Sequence, residues 1–279
     1  MPVHAWLPAA LFALTAWAVQ RLLSKVALAS LGTRKFYLLS AAVSLLVYTP
    51  YVLVRPPVPR DLLPAFGLAC LMAVTFGVTT EAIRRGPLGA VSPITALSPV
   101  LTAVLALALL GERLPPWGYA GIALAPAGVA LLSLEEGDKA ERMAWLSLAV
   151  ASLALQGVGA FIAKLVVTPS GPSALLLMGA LVQVIVGLYL APPGRWTGGD
   201  LRGRAAIFTV VAYAIAAVAT VGYLLALASG PAAVVVPLVA TSPAIAGILG
   251  ILFLKEEAGL RRLLGMGLAL AGAVLLSST

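Results

Sequence analysis

Cysteine, histidine and charge are what this chain has least of. Among 279 residues there is one cysteine, one histidine, and only 10% charged residues. Cys70 lies alone in an apolar run, so an intramolecular disulfide and a cysteine metal cluster are both excluded. His4 stands near the first residue and reads as a tail residue, which leaves no histidine for a metal site or a general base deeper in the chain. No Gly-Lys-Ser/Thr phosphate loop is present, so ATP is excluded as a direct energy source. Of the ten acidic residues, only Glu81 falls inside an apolar run. Hydrolytic chemistry is hard to assemble from such an inventory. The expectation is a protein without catalytic residues, metal or cofactor. The first apolar run has no basic leader and no small-residue cleavage site, so it reads as a retained helix.

What the chain has in excess is apolar side chain. It is 61% hydrophobic, with a mean hydropathy of +1.06. A water-soluble domain cannot hide that much apolar surface, so the solvent for most of the protein is a bilayer. The net charge of +8 would suggest nucleic acid in a soluble protein. Here the basic residues cluster between apolar runs, the pattern that orients a membrane protein, and no nucleic-acid partner is expected.

A span needs about 20 apolar residues. Ten runs fit: 5–29, 36–54, 62–83, 88–110 and 116–134, then 144–167, 173–191, 205–228, 232–254 and 260–277. Between the fives lies a charge-rich linker, 135–143. Runs this long predict an all-α membrane protein.

The two fives repeat. Residues 89–112, GAVSPITALSPVLTAVLALALLGE, return at 233–256 as AVVVPLVATSPAIAGILGILFLKE. An offset of 144 superposes Pro93 on Pro237, Ser98-Pro99 on Ser242-Pro243, and Glu112 on Glu256. It also superposes Gly86-Pro87 on Gly230-Pro231, Gly121 on Gly265, and Gly128 on Gly272. Nearer the start of each half the offset is 139, matching Ala5-Trp6-Leu7 with Ala144-Trp145-Leu146 and Lys25 with Lys164. Five spans per half is an odd number, so the second half must enter the membrane inverted. The halves are drawn at 1–136 and 143–279. The loop charges agree: twelve basic residues follow odd-numbered spans, and only Arg55, Arg60 and Arg113 follow even ones. That bias puts both termini outside.

Gly-Pro, then Ser-Pro, then Gly-Glu-Arg and a Gly-rich apolar helix, present twice, resembles the EamA-like drug/metabolite transporters. The resemblance covers both halves. It implies ten helices in two inverted repeats, a central cavity, and alternating access for small metabolites. The chain departs from the pattern at Lys255-Glu256, where the first copy has Gly111-Glu112. It also departs in orientation, since family members are usually drawn with both termini cytoplasmic.

Proline within a span removes an amide donor and frees the carbonyl four residues earlier. Pro93, Pro99, Pro237 and Pro243 therefore mark candidate helix breaks, with Ser98 and Ser242 beside two of them. Either they line a cavity, or they are packing kinks with the serines back-bonding locally. Arg21 lies close to mid-span, where a charge is costly unless paired or hydrated. It either faces the cavity or snorkels along its stem, as Lys25 and Lys164 do in the bland reading. Gln20, Gln156 and Gln183 are polar at membrane depth and either hold substrate or bond neighbouring helices. Trp17 occupies the repeat position of Gln156. Tyr213 and Tyr223 on the eighth span either join the same site or pack between helices. Glu81 is a proton-coupling candidate whose simpler reading is an ion pair with Arg84 or Arg85. The small-residue faces Gly121, Ala125, Gly128 and Gly265, Ala269, Gly272 read as scaffold, inside a monomer or at a homodimer contact.

The reading is a secondary transporter, in the exporting direction, of an anionic or zwitterionic metabolite such as an amino acid. The membrane is a bacterial inner membrane or an archaeal plasma membrane. The alternative is a proton-coupled exporter of drugs or other cationic compounds. An intramembrane enzyme or a passive channel is the remaining competitor.

Overall fold

The computed structural model describes residues 5–31, 33–85, 94–133, 142–190, 203–254 and 259–279. Pro93, Lys255 and Glu256 lie outside them, as do the side chains of Lys25 and Arg84. The described residues form eleven α-helices and no strand. The first half gives α1 (Leu7–Leu31), α2 (Thr33–Val54), α3 (Pro59–Arg85), α4 (Ser98–Leu109) and α5 (Pro116–Ser133). The second gives α6 (Arg142–Ser170), α7 (Ser173–Leu190), α8 (Arg204–Ser229), α9 (Ala232–Val239), α10 (Ser242–Leu254) and α11 (Leu260–Ser277).

Among the described residues, six helical segments are long and apolar enough to cross a membrane: Tyr37–Val54, Pro59–Thr79, Trp145–Pro169, Ser173–Leu190, Ala206–Ser229 and Ala232–Leu249. Leu7–Leu23, Ser98–Leu109 and Leu263–Ser277 are apolar but shorter. The sequence reading expects ten spans. The apolar stretches of α1 and α11 are counted only where side chains are described, up to Leu23 and from Leu263. The outer surface is that of a lipid-facing protein. Leu53 and Val54 are 76% and 81% exposed, a surface that water would not tolerate.

Each helix of the first half packs chiefly on the second half. α1 runs against α8, α3 against α6, α2 against α7 and α5 against α11. The exchange continues in the lesser contacts: α3 meets α7 as α2 meets α8, and α4 meets α6 as α10 meets α1. In lipid there is no hydrophobic drive between helices, so close contact must come from small residues. The α5–α11 seam illustrates this. A Cβ on Gly128 would overlap the backbones of Ala269 and Gly265, and one on Gly272 would overlap that of Ala125. The two small-residue faces thus close on each other inside the chain.

At the Ser-Pro positions the helices break outright. Ala96-Leu97 and Ala240-Thr241 are turns, and Ser98-Pro99 and Ser242-Pro243 each start the next helix. A proline in the first turn of a helix has no amide to waste, so the Ser-Pro pair starts α4 and α10 at little cost. The two breaks share one pattern of tight bonds. Leu97 N donates to Ile94 O and Thr241 N to Leu238 O, both at 3.2 Å. Val100 N donates to Leu97 O at 3.0 Å, and Ala244 N to Thr241 O at 2.9 Å. Pro237 lies within α9, every residue of which is buried, so the interrupted backbone of this segment is sheathed in protein.

Candidate functional site

A cavity of about 620 Å³ lies between the halves. Its wall takes Trp17 from α1, Tyr37 from α2, Met72 and Phe76 from α3, Gln156 and Ala160 from α6, Gln183 from α7, and Thr220 and Tyr223 from α8. Both helix breaks reach it, through Ser98 on one side and Val239-Ala240 on the other. Among the described residues, no Asp, Glu, Lys, Arg or His lies in the lining. Repeat-related positions meet across the space: Trp17 with Gln156, and Phe76 with Thr220, residues 139 and 144 apart respectively.

The wall is largely aromatic and small. Trp17 and Tyr223 pack with ring centroids 5.3 Å apart, and Tyr37 and Phe76 with centroids 5.0 Å apart. The small residues Ala65, Ala69, Ala73, Gly159, Ala160, Ala163 and Gly179 leave the volume open. Gln156 is held by a polar chain leading away from the cavity: its Nε2 donates to Ser152 Oγ at 2.8 Å, and Ser152 pairs with Thr79 at 2.5 Å.

Of the candidates named from sequence, Trp17, Gln156, Gln183, Ser98 and Tyr223 line this cavity. Arg21 and Gln20 do not. Arg21 follows Trp17 by one turn on the same face of α1, is exposed, and lies within electrostatic range of Tyr213. The Tyr213 hydroxyl pairs with that of Ser40 and is within range of Tyr37 on the wall. Arg21, Tyr213, Ser40 and Tyr37 therefore form a polar group beside the cavity, with Tyr37 as its member on the wall. Ser242 is buried away from the lining. Glu81 accepts a hydrogen bond from Arg85 Nε at 2.6 Å, the ion pair of the simpler reading.

Lys164 is also absent from the described lining, and its ammonium is engaged elsewhere. It donates to Leu227 O and to Gly230 O, each at 2.7 Å, and so closes the C-terminus of α8. Across the Gly230-Pro231 turn, Glu112 Oε1 accepts from Ala232 N and Oε2 from Ala233 N, both at 2.8 Å. A carboxylate at a helix N-terminus and a cation at a C-terminus each satisfy orphan backbone groups and oppose the helix dipole. Sequence reasoning saw Glu112 only as part of a motif. Its partners lie 120 and 121 residues away. Tyr37 and Thr220 were also missed; that Thr220 repeats Phe76 was the available signal. Asp61, in the first turn of α3, is a buried acid that the sequence placed merely at a helix end.

The family model of the EamA-like transporter family matches the chain twice, over residues 4–134 and 143–278. A Sinorhizobium sp. protein named as an uncharacterized transporter in the cobO 3′ region is 30% identical over 135 residues, covering 48% of this chain and 96% of that protein. A protein of known crystal structure shares the fold, with a TM-score of 0.74 over 97% of this chain and 96% of its own, at 19% identity. With apolar helices of spanning length and a cavity between its halves, this chain belongs to the EamA-like transporter family, a family of multi-pass membrane transporters.

Proposed function

We propose that the chain is a secondary active exporter of a small anionic or zwitterionic metabolite, such as an amino acid, working by alternating access. Ten spans in two inverted five-helix repeats form the carrier, and the face bearing twelve basic residues is cytoplasmic, in a bacterial inner or archaeal plasma membrane. The observation that carries the reading is the cavity whose wall includes both helix breaks. Interrupted helices at the junction of repeats are where carriers of this kind hold substrate. A volume of about 620 Å³ suits a small molecule. The exchange of helix contacts between halves supports a pseudo-twofold arrangement, which lets one half rock against the other.

Arg21 supplies the positive charge in this reading, beside the cavity and linked to its wall through Tyr213 and Tyr37. Lys164 drops out of it, because its ammonium is held by two main-chain carbonyls away from the described lining. The second reading, an exporter of cationic compounds, is favoured by one observation: among the described residues the lining carries aromatic rings and no charged side chain. Counterflow in proteoliposomes tests the proposal. Uptake of labelled amino acid accelerated by unlabelled amino acid inside is the expected result. Uptake that is indifferent to the trans compartment would indicate a channel, and acceleration by organic cations alone would favour the second reading.

A further inference from the structure

We infer that Glu112 and Lys164 are the latch that keeps the cavity closed at its Gly230-Pro231 end, and that both let go when the cavity opens there; this rests on the transporter reading above. The wall is unevenly closed. α3 and α6 run antiparallel, with Thr79 beside Ser152 and Met72 beside Gly159, so Ala65 lies nearer the turn and Phe76 farther from it. Met72 and Phe76 are 37% and 39% exposed, whereas Ala65, Ala163, Leu224 and Val236 are buried. One helical turn from the wall toward Gly230-Pro231 leads from Ala163 to Val167, from Tyr223 to Leu227, and from Val236 back to Ala232. All three are fully buried. Trp6, buried as well, lies against Gly230 from the start of α1. Together these side chains close that end.

The residues that make the seal are the ones the two charges grip. Glu112 accepts from Ala232 N and Ala233 N, and Lys164 donates to Leu227 O and Gly230 O. The grip on α9 is not local. Its N-cap, Pro231, makes no side-chain bond to the first turn, and the carboxylate reaches it from the α4–α5 connection in the other half. Gly111, beside Glu112, has a φ of +66°, which glycine adopts without strain and which turns that connection. A passage wide enough for a small molecule must part α1, α6, α8 and α9 by more than a hydrogen bond can stretch, since such bonds fade beyond about 3.5 Å. The bonds therefore belong to the closed arrangement. On release, water entering the parted end hydrates the freed amides and carbonyls and both charges, so the closed state loses only the net worth of the bonds. A fastener that served folding alone would hold in both states.

The experiment uses the full-length protein with a single cysteine at Ala160 on the cavity wall, in a Cys70→Ser background, in right-side-out and inside-out vesicles. The readout is a ratio: the rate of labelling by a charged, impermeant thiol reagent from the face bearing the Gly230-Pro231 turn, over the rate from the opposite face. Glu112→Ala and Lys164→Met should each raise that ratio roughly tenfold, by favouring the arrangement open at the turn. Glu112→Gln, which keeps one acceptor oxygen, should raise it less; if the other two variants fail to accumulate, this one carries the test. A ratio that no folded variant moves, or faster labelling from both faces equally, as general loosening would give, overturns the inference. Lower thermal stability accompanies either role and does not decide between them. Normal trans-stimulated counterflow with an unmoved ratio would sink the latch alone, whereas a wild type without trans-stimulation would sink the transporter reading.

Discussion

Glu112 and Lys164 come from different halves of the chain and hold the two sides of one turn. The carboxylate caps the start of α9 and the ammonium caps the end of α8, with Gly230-Pro231 between them. Gly230 leaves room for a third element: a Cβ there would strike the ring of Trp6. This end of the bundle is thus fastened by charge-assisted bonds to backbone rather than by an ion pair on the surface.

Loss of either cap should therefore destabilise the fold. Glu112→Ala leaves two amide donors of a buried helix without partners and should cost about 2 kcal/mol. Glu112→Gln, which keeps one acceptor oxygen, should cost less. Lys164→Met strands two carbonyls and should cost a similar amount. The double variant should fall short of the sum, because both residues fasten one turn. Thermal unfolding of the four proteins in detergent checks this.

The α5–α11 seam should tolerate no added atoms. Gly128→Val or Gly272→Val forces two backbones apart and should cost about 3 kcal/mol or prevent accumulation of folded protein. Gly67 and Gly77 are helical with open space where a Cβ would stand. Alanine at either should be neutral or gain up to about 1 kcal/mol. Yield and thermal stability of the two pairs provide the comparison.

The prolines of the Ser-Pro pairs should matter less than the breaks they mark. Pro99 and Pro243 stand in first turns, and each break carries its own pair of tight backbone bonds. Pro99→Ala or Pro243→Ala should leave the break in place and shift stability by under about 1 kcal/mol. Counterflow rates close to wild type in both single variants are expected; a large loss would mean that proline, not the turn, sustains the break.

Arg21 should set charge preference. Its guanidinium can hold a carboxylate by two parallel bonds, which lysine cannot reproduce. Arg21→Lys should weaken uptake of carboxylate substrates, and Arg21→Gln more so, by roughly tenfold relative to matched neutral compounds. Equal loss for both kinds of substrate would remove Arg21 from selection.

The residues that were legible in the sequence share one property: their neighbours are repeat mates or lie on the same run. Trp17 and Gln156 emerged as a pair because the repeat aligns them, and the breaks emerged because Ser-Pro occurs twice. Lys164 did not. A long cation in an apolar run has several outlets, among them a ligand, the membrane surface, and the orphan carbonyls of another helix. Only the tertiary packing, which brings Leu227 and Gly230 to it, decides among them. Glu112 was invisible for the same reason.

The central claim is that the cavity is the substrate path, exposed to each side of the membrane in turn. Single cysteine at Ala160, in a Cys70→Ser background, tests it most directly, because Ala160 lies on the cavity wall and that background removes the one native thiol. A charged, membrane-impermeant thiol reagent should label it in both right-side-out and inside-out vesicles, with transported amino acid slowing both reactions. Labelling confined to one face whatever substrate is present would contradict alternating access through this cavity.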